Sequence, residues 1–570
     1  MRHGRWLLVP LLLAVACRAA SPQDLTRTVA PCDGKIVSAI DITPRDPSFL
    51  AVPKRLRGAA RAVGLLHTTT KAKVIDRFLL LEVAKPCTER QRAESERILR
   101  LQPFLADARV RAVPDSAGRV RIEVETIDEI PTVFGMHFRD NRPSALRFGN
   151  GNVGGQGVFL AASVERGFAY RTGVGVEGAA YSAFGRPYTL ALVAERAPLG
   201  STLNIALGHS FLTDLQRSAW HVGYGDLNGY ASFVPPEGDA LSLGVRHRFW
   251  DVGGVRRVGL GRWNAFVGGL LTHEEVTQAG QAVVISDSGL IADTSTALRG
   301  PFATYRNLRV NAVVGVRALS FMPVRGFDAL TAVQDVATGV QLGSLVGRGI
   351  PGLGAHDDGI FVSADLYAGF GSATSFGALR VEGEARDDRS TGRWDSIVSS
   401  GRLAWYFKPA AAHVLIASAE FGGAWRERVP FQLMLGDRQG GARGYYDSRV
   451  AGAVRSVARL EERWTIGQLT RHVVVGLASF ADAGRVWAGD APFGVDSPTK
   501  IGVGLGLLAA FPPQSQRLWR LDVAVPVSPD RNARWEVRLS SRLTRGFWRE
   551  PSDVARARAS AAPSTIFTWP

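Results

Sequence analysis

The chain has 570 residues, 63 of them glycine and only 4 methionine, with a formal net charge of +16. Its arginines lie singly along strand-like runs instead of gathering in a basic tail or on a helix face, which argues against nucleic acid as a partner. Beyond the N-terminus no apolar run of 18 residues occurs, so a membrane-spanning form would have to be a closed β-barrel; the other candidate is a soluble secreted protein.

The first 20 residues read as a secretory signal. Arg2 and Arg5 precede the apolar run Trp6 to Ala16, and small residues follow. Ala14-Val15-Ala16 offers a cleavage site just before Cys17, and a second lies nearer Ser21. Cys17 is alternatively a lipidated cysteine, although Ala14 stands where a lipobox prefers leucine. After processing, Cys32 and Cys87 remain. In an oxidising compartment the even count reads as a disulfide, against two unpaired thiols.

Residues 33–128 form an α+β pattern in the order β-α-α-β-β. Lys35 to Ile42 alternates as a strand, and Val74 to Val83 has helical spacing with Val74, Phe78, Leu79 and Leu81 on its apolar stripe. Thr88 opens a second helix with Gln91 as its capping-box partner. Strands are expected over Ala108–Val113 and Arg119–Thr126, joined by the Asp115-Ser116-Ala117-Gly118 turn. Between the first strand and first helix, Lys54, Arg55, Arg57 and Arg61 suit either a basic helix at a membrane surface or a solvated surface helix.

From Pro131 to Trp548 apolar and polar residues alternate in run after run. Ile501, Val503, Leu505 and Leu507 face away from Gly502, Gly504 and Gly506; Trp519, Leu521, Val523 and Val525 oppose Arg520, Asp522 and Ala524; and Val537 and Leu539 oppose Glu536, Arg538 and Ser540. A soluble sandwich shows the same period. The number of runs, many about ten residues long, and turns that alternate short and long instead indicate an outer-membrane barrel over 129–548. Gln278 to Gly300, His356 to Gly359 and Phe431 to Val450 are the expected exterior loops. Residues 549–570, rich in alanine, serine, proline and arginine, read as a disordered tail.

Signals for catalysis fail on context. Gly149-Asn150-Gly151-Asn152-Val153-Gly154 precedes a strand where a dinucleotide site needs a helix. His273-Glu274 has Thr277 in place of the second zinc-protease histidine, and Gly208-His209-Ser210 lacks the closing glycine of a nucleophile elbow. The chain is therefore read as no enzyme, with no cofactor and no metal.

Two motifs carry more weight. Gly441-Ala442-Arg443-Gly444-Tyr445 closes a long polar loop, and Phe480-Ala481-Asp482-Ala483-Gly484 lies within a strand. Phe480, Asp482 and Gly484 share one face, while Val473, Val475 and Leu477 take the other. A carboxylate facing lipid is costly, so Asp482 should face the lumen and seek a cation, and Arg443 offers a bidentate one.

With these motifs, the α+β unit and the barrel pattern, the chain resembles the BamA/TamA superfamily of outer-membrane insertases and translocases, also called bacterial surface antigen proteins. The segment RILRLQPFLADARVRAVP leading into RVRIEVETIDE resembles a polypeptide-transport-associated (POTRA) domain, and a single copy fits before the barrel. Arg443-Gly444-Tyr445 matches the family's inward loop motif, with Ala442 where valine or isoleucine is usual. Phe480, Asp482 and Gly484 match its strand motif, and Glu461 with Arg463 its glutamate-x-arginine pair.

The resemblance implies a mainly β fold: a transmembrane antiparallel barrel of about sixteen strands behind one periplasmic POTRA-like domain. It also implies an outer-membrane protein that assembles or exports client proteins through the POTRA edge and the seam between first and last strands. Its partners would be outer-membrane lipid and lipopolysaccharide, unfolded or exported clients, and periplasmic accessory proteins. The alternatives are dedicated secretion of one partner or a lipid, a passive porin-like channel, and a barrel enzyme.

Overall fold

The structure, a computed structural model, describes residues 31–47, 68–115, 118–139, 142–166 and 172–558, apart from 260, 262, 287–288, 295–297, 299–303, 354, 357, 390–391, 429–430, 437–439 and 545–546. The signal, Cys17 and the basic segment holding Lys54, Arg55, Arg57 and Arg61 lie outside the described residues.

The N-terminal unit is a three-stranded sheet covered by two helices. Strand β1 (Val37–Arg45) pairs parallel with β3 (Val120–Asp128), which pairs antiparallel with β2 (Leu105–Pro114), so β1 and β2 are the edges. Helix α1 spans Ala72–Asp76 and helix α2 Glu89–Arg100. Thr88 and Gln91 form the expected reciprocal capping box of α2.

The first helix is shorter than its periodicity predicts. After Asp76 the backbone N–H of Leu80 donates to Ser95 Oγ on α2, and Ala84 takes a left-handed φ of 64°. Phe78 and Leu81 still reach the core, but from turns. That core gathers Val74, Ile75, Phe78, Leu99, Phe104 and Ile122. Cys32 and Cys87 are disulfide-bonded within it, their Cα atoms 5.4 Å apart.

Beyond residue 131 lies one antiparallel sheet of twenty-two strands, which closes from Glu536–Leu543 back to Thr132–Arg139. Two of them, Val283–Ser286 and Gly289–Ala292, form a hairpin outside the wall, because the flanking strands Asn264–Gln278 and Tyr305–Arg325 pair directly; the wall therefore has twenty strands among the described residues. This corrects the expected sixteen. The six strands from Thr132–Arg139 to Ser201–His209 are only eight to twelve residues long, and glycines such as Gly173 and Gly175 thin their alternation.

The wall is apolar outside. Ile501, Val503, Leu505 and Leu507 are exposed in succession, while Phe480, Asp482 and Gly484 on the paired strand are buried inside. Aromatic rows mark the edges of this band: Trp394 and Trp425 toward the long connections, Phe370, Trp405 and Trp464 toward the short turns. Trp394 and Trp405 lie eleven residues apart on one strand, which at about 3.3 Å per residue and a tilt near 40° gives a band roughly 28 Å tall, the scale of a bilayer core.

The α+β unit docks against the short-turn end. The Arg100 guanidinium donates to Asp335 through Nε (2.8 Å) and Nη2 (2.7 Å), both side chains being buried, and Arg100 also pairs with Glu96. The Arg97 guanidinium lies 3.9 Å over the Phe321 ring, Thr70 joins Asp128 to Asn152, and Ser515 Oγ donates to Glu129 at 2.7 Å. Deleting one partner of a buried ion pair costs about 3–5 kcal/mol. Arg100→Ala or Asp335→Ala should therefore loosen the junction, read as faster amide exchange in the 326–332 turn with the wall strands still protected. Unchanged exchange there would mean that this contact does not hold the two parts together.

The C-terminal segment is also corrected. Residues 549–558 are ordered and enter the lumen, with a short helix α3 over Ser552–Ala557. Residues 559–570 lie outside the described residues.

Candidate functional site: the inward loop and its lumen charges

The long connection after His413–Trp425 folds back into the barrel. Leu433, Leu435, Ala442 and Tyr445 on it are fully buried, the last three against Val457 and Val486 of the wall and Leu433 against Val398 and Ala424. A loop buried in this way must satisfy its own backbone, and side chains of the wall do much of that work.

Asp482 sits midway along Val473–Trp487 and faces the lumen, as the alternation predicts. Arg443 meets it in a bidentate fork: Nε donates to Oδ2 at 2.8 Å and Nη2 to Oδ1 at 2.7 Å, while the Arg443 backbone N–H also donates to Oδ2 at 3.0 Å. Nη1 donates to Glu461 Oε2 at 3.1 Å and lies 3.7 Å from Asp522. The guanidinium stacks 3.5 Å from the centroid of Phe480, which adds a cation–π contact in a dry setting.

Glu461 is shared. Arg463 donates to it at 2.6 Å, and Arg520 donates to both its oxygens at 2.6 and 2.8 Å. Arg520 also donates to Asp522. Guanidinium groups and carboxylates thus interleave in one contiguous set, which Arg459 extends by lying 3.8 Å from Asp482 and pairing with Glu420. Mutual pairing is what permits burial, because an unpaired charge at this depth costs several kcal/mol.

Glycines make the close approach possible. Gly444 has a φ of +89°, and a Cβ there would lie 3.1 Å from the backbone at Val525 and Pro526. A Cβ on Gly502 would fall 2.2 Å from the Arg443 carbonyl, and one on Gly484 would press on Leu435 and Ala442. Ala442, where the resembled family carries a larger residue, therefore faces a wall position kept clear for it.

The loop tip reaches the last strand. Gly444 N–H donates to Glu536 at 2.8 Å, and the Tyr445 hydroxyl donates to the Ile501 carbonyl at 2.7 Å. Arg443, Gly444, Tyr445, Phe480, Asp482, Gly484, Glu461 and Arg463 are thus all brought together; the Cys32–Cys87 bond lies apart, in the α+β unit. Sequence reading had not assigned Asp522, Arg520 and Glu536 to this site. Their signal was present, since each stands on the polar side of an alternating strand.

The set is an electrostatic brace with no reactive geometry among its described members, and no cluster of three or more metal-ligating side chains occurs among the described residues. Coupling is its measurable property. Arg443→Ala and Asp482→Ala each strand a buried charge, so the double variant should unfold in urea with about 1–3 kcal/mol less loss than the two single losses added. Strict additivity would dissolve the pair. Arg443→Lys keeps the charge but not the fork and should recover only part of the loss.

No family model and no curated protein matches the chain. Solved structures similar to it include BamA from Haemophilus ducreyi lacking POTRA domains 1–3, at 11% identity and a TM-score of 0.36 over 89% of this chain and 84% of that one. CdiB from Acinetobacter baumannii is similar at 11% identity and a TM-score of 0.38, over 84% of this chain and 74% of that one. CdiB from Escherichia coli is similar at 13% identity and a TM-score of 0.37, over 92% of both chains.

Proposed function

We propose that this chain is an outer-membrane barrel that inserts client proteins into the outer membrane or exports them across it, with the α+β unit as a single periplasmic POTRA domain. The observation that carries this reading is the loop tip, which is held at once by Asp482 in the wall and by Glu536 on the last strand. A passive channel has no need of a loop pinned beside the strand that closes the wall. A machine that opens there to admit a client edge does, since a freed edge offers main-chain hydrogen bonds without regard to sequence.

The rest of the molecule fits this role. The apolar band suits outer-membrane lipid and lipopolysaccharide, and the β1 edge offers pairing positions for an extended client or a periplasmic accessory protein, whereas the β2 edge is covered by helix α2 through Arg92, Glu96 and Arg100. The work proposed is binding and pairing, with no bond chemistry, no cofactor and no nucleic acid.

Dedicated secretion of one partner is the second reading, favoured by the single α+β unit among the described residues. Depletion of the protein followed by outer-membrane proteomics separates the two. Loss of many barrel proteins supports general assembly, and loss of one exported protein supports dedicated secretion. An unchanged outer-membrane and secreted proteome in the depleted cells would refute both.

A further inference from the structure

A wall of twenty strands encloses a lumen on the scale of a porin channel unless something fills it. The inward loop fills part of it, and the C-terminal segment fills more. After the last strand ends at Leu543 the chain turns inside, where Arg402 donates to the Phe547 carbonyl at 2.7 Å and the Phe547 ring packs edge-on against Tyr367. It then climbs toward the long-connection end. Pro551 lies over Gly440 of the loop, and helix α3 buries Val554 and Ala557 among Val398 and Ala424 of the wall and Phe431 and Leu433 of the loop.

Two ionic contacts hold it. Arg455 donates to Asp553 through Nη1 (2.7 Å) and Nη2 (3.3 Å), and the same Nη1 donates to the Met434 carbonyl at 2.7 Å, so one wall guanidinium ties both tail and loop. Arg558 donates to Glu550 of the segment itself at 2.6 and 2.8 Å and reaches the wall at Ser400 Oγ (2.8 Å), with Glu382 and Glu384 of the wall each 3.7 Å away. A carboxylate-lined wall thus receives the cationic end of the segment.

We infer that residues 549–558 form a displaceable plug, which narrows the pore and steadies the inward loop while seated, and widens the pore when it leaves. Displacement is physically accessible. The wall closes its hydrogen-bond ladder without the tail, which is tethered only through the last strand. Helix α3 has six residues, far fewer than the about 12–15 at which an isolated helix becomes even marginally stable, so it is a helix only while docked. It holds on by the small apolar side chains of Pro551, Val554 and Ala557, by the Arg455–Asp553 pair, by Arg558 at the wall and by the Ser400 hydroxyl on Glu550. This goes beyond the translocase reading and stands without it, because pore width is measured with no client present.

The test is conductance of the full chain in planar bilayers. A Cβ built at Gly422 lies 3.9 Å from Val554 Cβ, within the about 3.5–4.5 Å that a disulfide spans, so the Gly422→Cys/Val554→Cys pair can lock the plug when oxidised and free it when reduced. The wild-type and the reduced pair should show excursions from a small to a several-fold larger conductance, and oxidation should abolish the excursions. Asp553→Ala should lengthen them, and a chain ending at Trp548 should dwell at the larger level. Should the shortened chain fail to fold, the redox comparison decides alone. Equal conductance in the oxidised and reduced pair, or a folded shortened chain that conducts like the full one, overturns the plug.

Discussion

The Arg443 fork on Asp482 is the contact on which the rest of the lumen depends. Both carboxylate oxygens accept from the guanidinium, and the Arg443 backbone N–H donates to the same group, so one carboxylate fixes side chain and main chain together. A loop with buried backbone cannot hover; it must be tied at a point or leave. Once this point is fixed, the left-handed Gly444, the cleared positions at Gly484 and Gly502 and the reach of the tip to Glu536 become geometric requirements. The fork also explains the neighbours. A guanidinium at this depth needs its remaining donor satisfied, and Glu461 accepts from it while Arg463 and Arg520 balance Glu461 in turn.

The same rule runs through the barrel at several heights. Glu274 is fully buried beside Arg386 and accepts from the Tyr305 hydroxyl, Arg317 pairs with Asp214, and Arg459 with Glu420. These inward-facing arginines meet carboxylates, and Arg309, 3.9 Å from Glu274, also lies over the Phe361 ring. Outside, where lipid offers no such partners, the band carries aliphatic and aromatic side chains instead.

Period-two alternation put Asp482 on the inner face, and the number of runs with turns alternately short and long pointed to the barrel. The Arg443 and Asp482 motifs were legible because each isolates one charge among small residues. The tail contact stayed hidden, because Asp553 meets Arg455 98 residues away and no motif marks either one. The expected sixteen strands came from the resemblance, and the short, glycine-thinned strands before Ser218 carry too little alternation to correct it. The Val74–Val83 helix was over-read because Ser95 on a neighbouring helix takes the N–H that a further turn would have used. The tail was read as disordered from composition, which is fair for a free chain: Ala555 and Ala557 in a short helix fold only against a wall already built.

Loop and tail are therefore best treated as one insert with two roots. The loop enters from the long-connection end, the tail from the short-turn end, and Arg455 bonds to both through Met434 and Asp553. Either piece alone leaves part of that guanidinium's hydrogen bonding unmet. The buried strip Phe431–Leu433–Val554 exists only when both are present. Loop seating at Asp482 and tail seating at Arg455 must then favour each other, since each supplies a surface that the other needs in order to be buried. A partner that draws the tail out toward the short-turn end therefore weakens the loop's hold beside the last strand without ever touching Arg443.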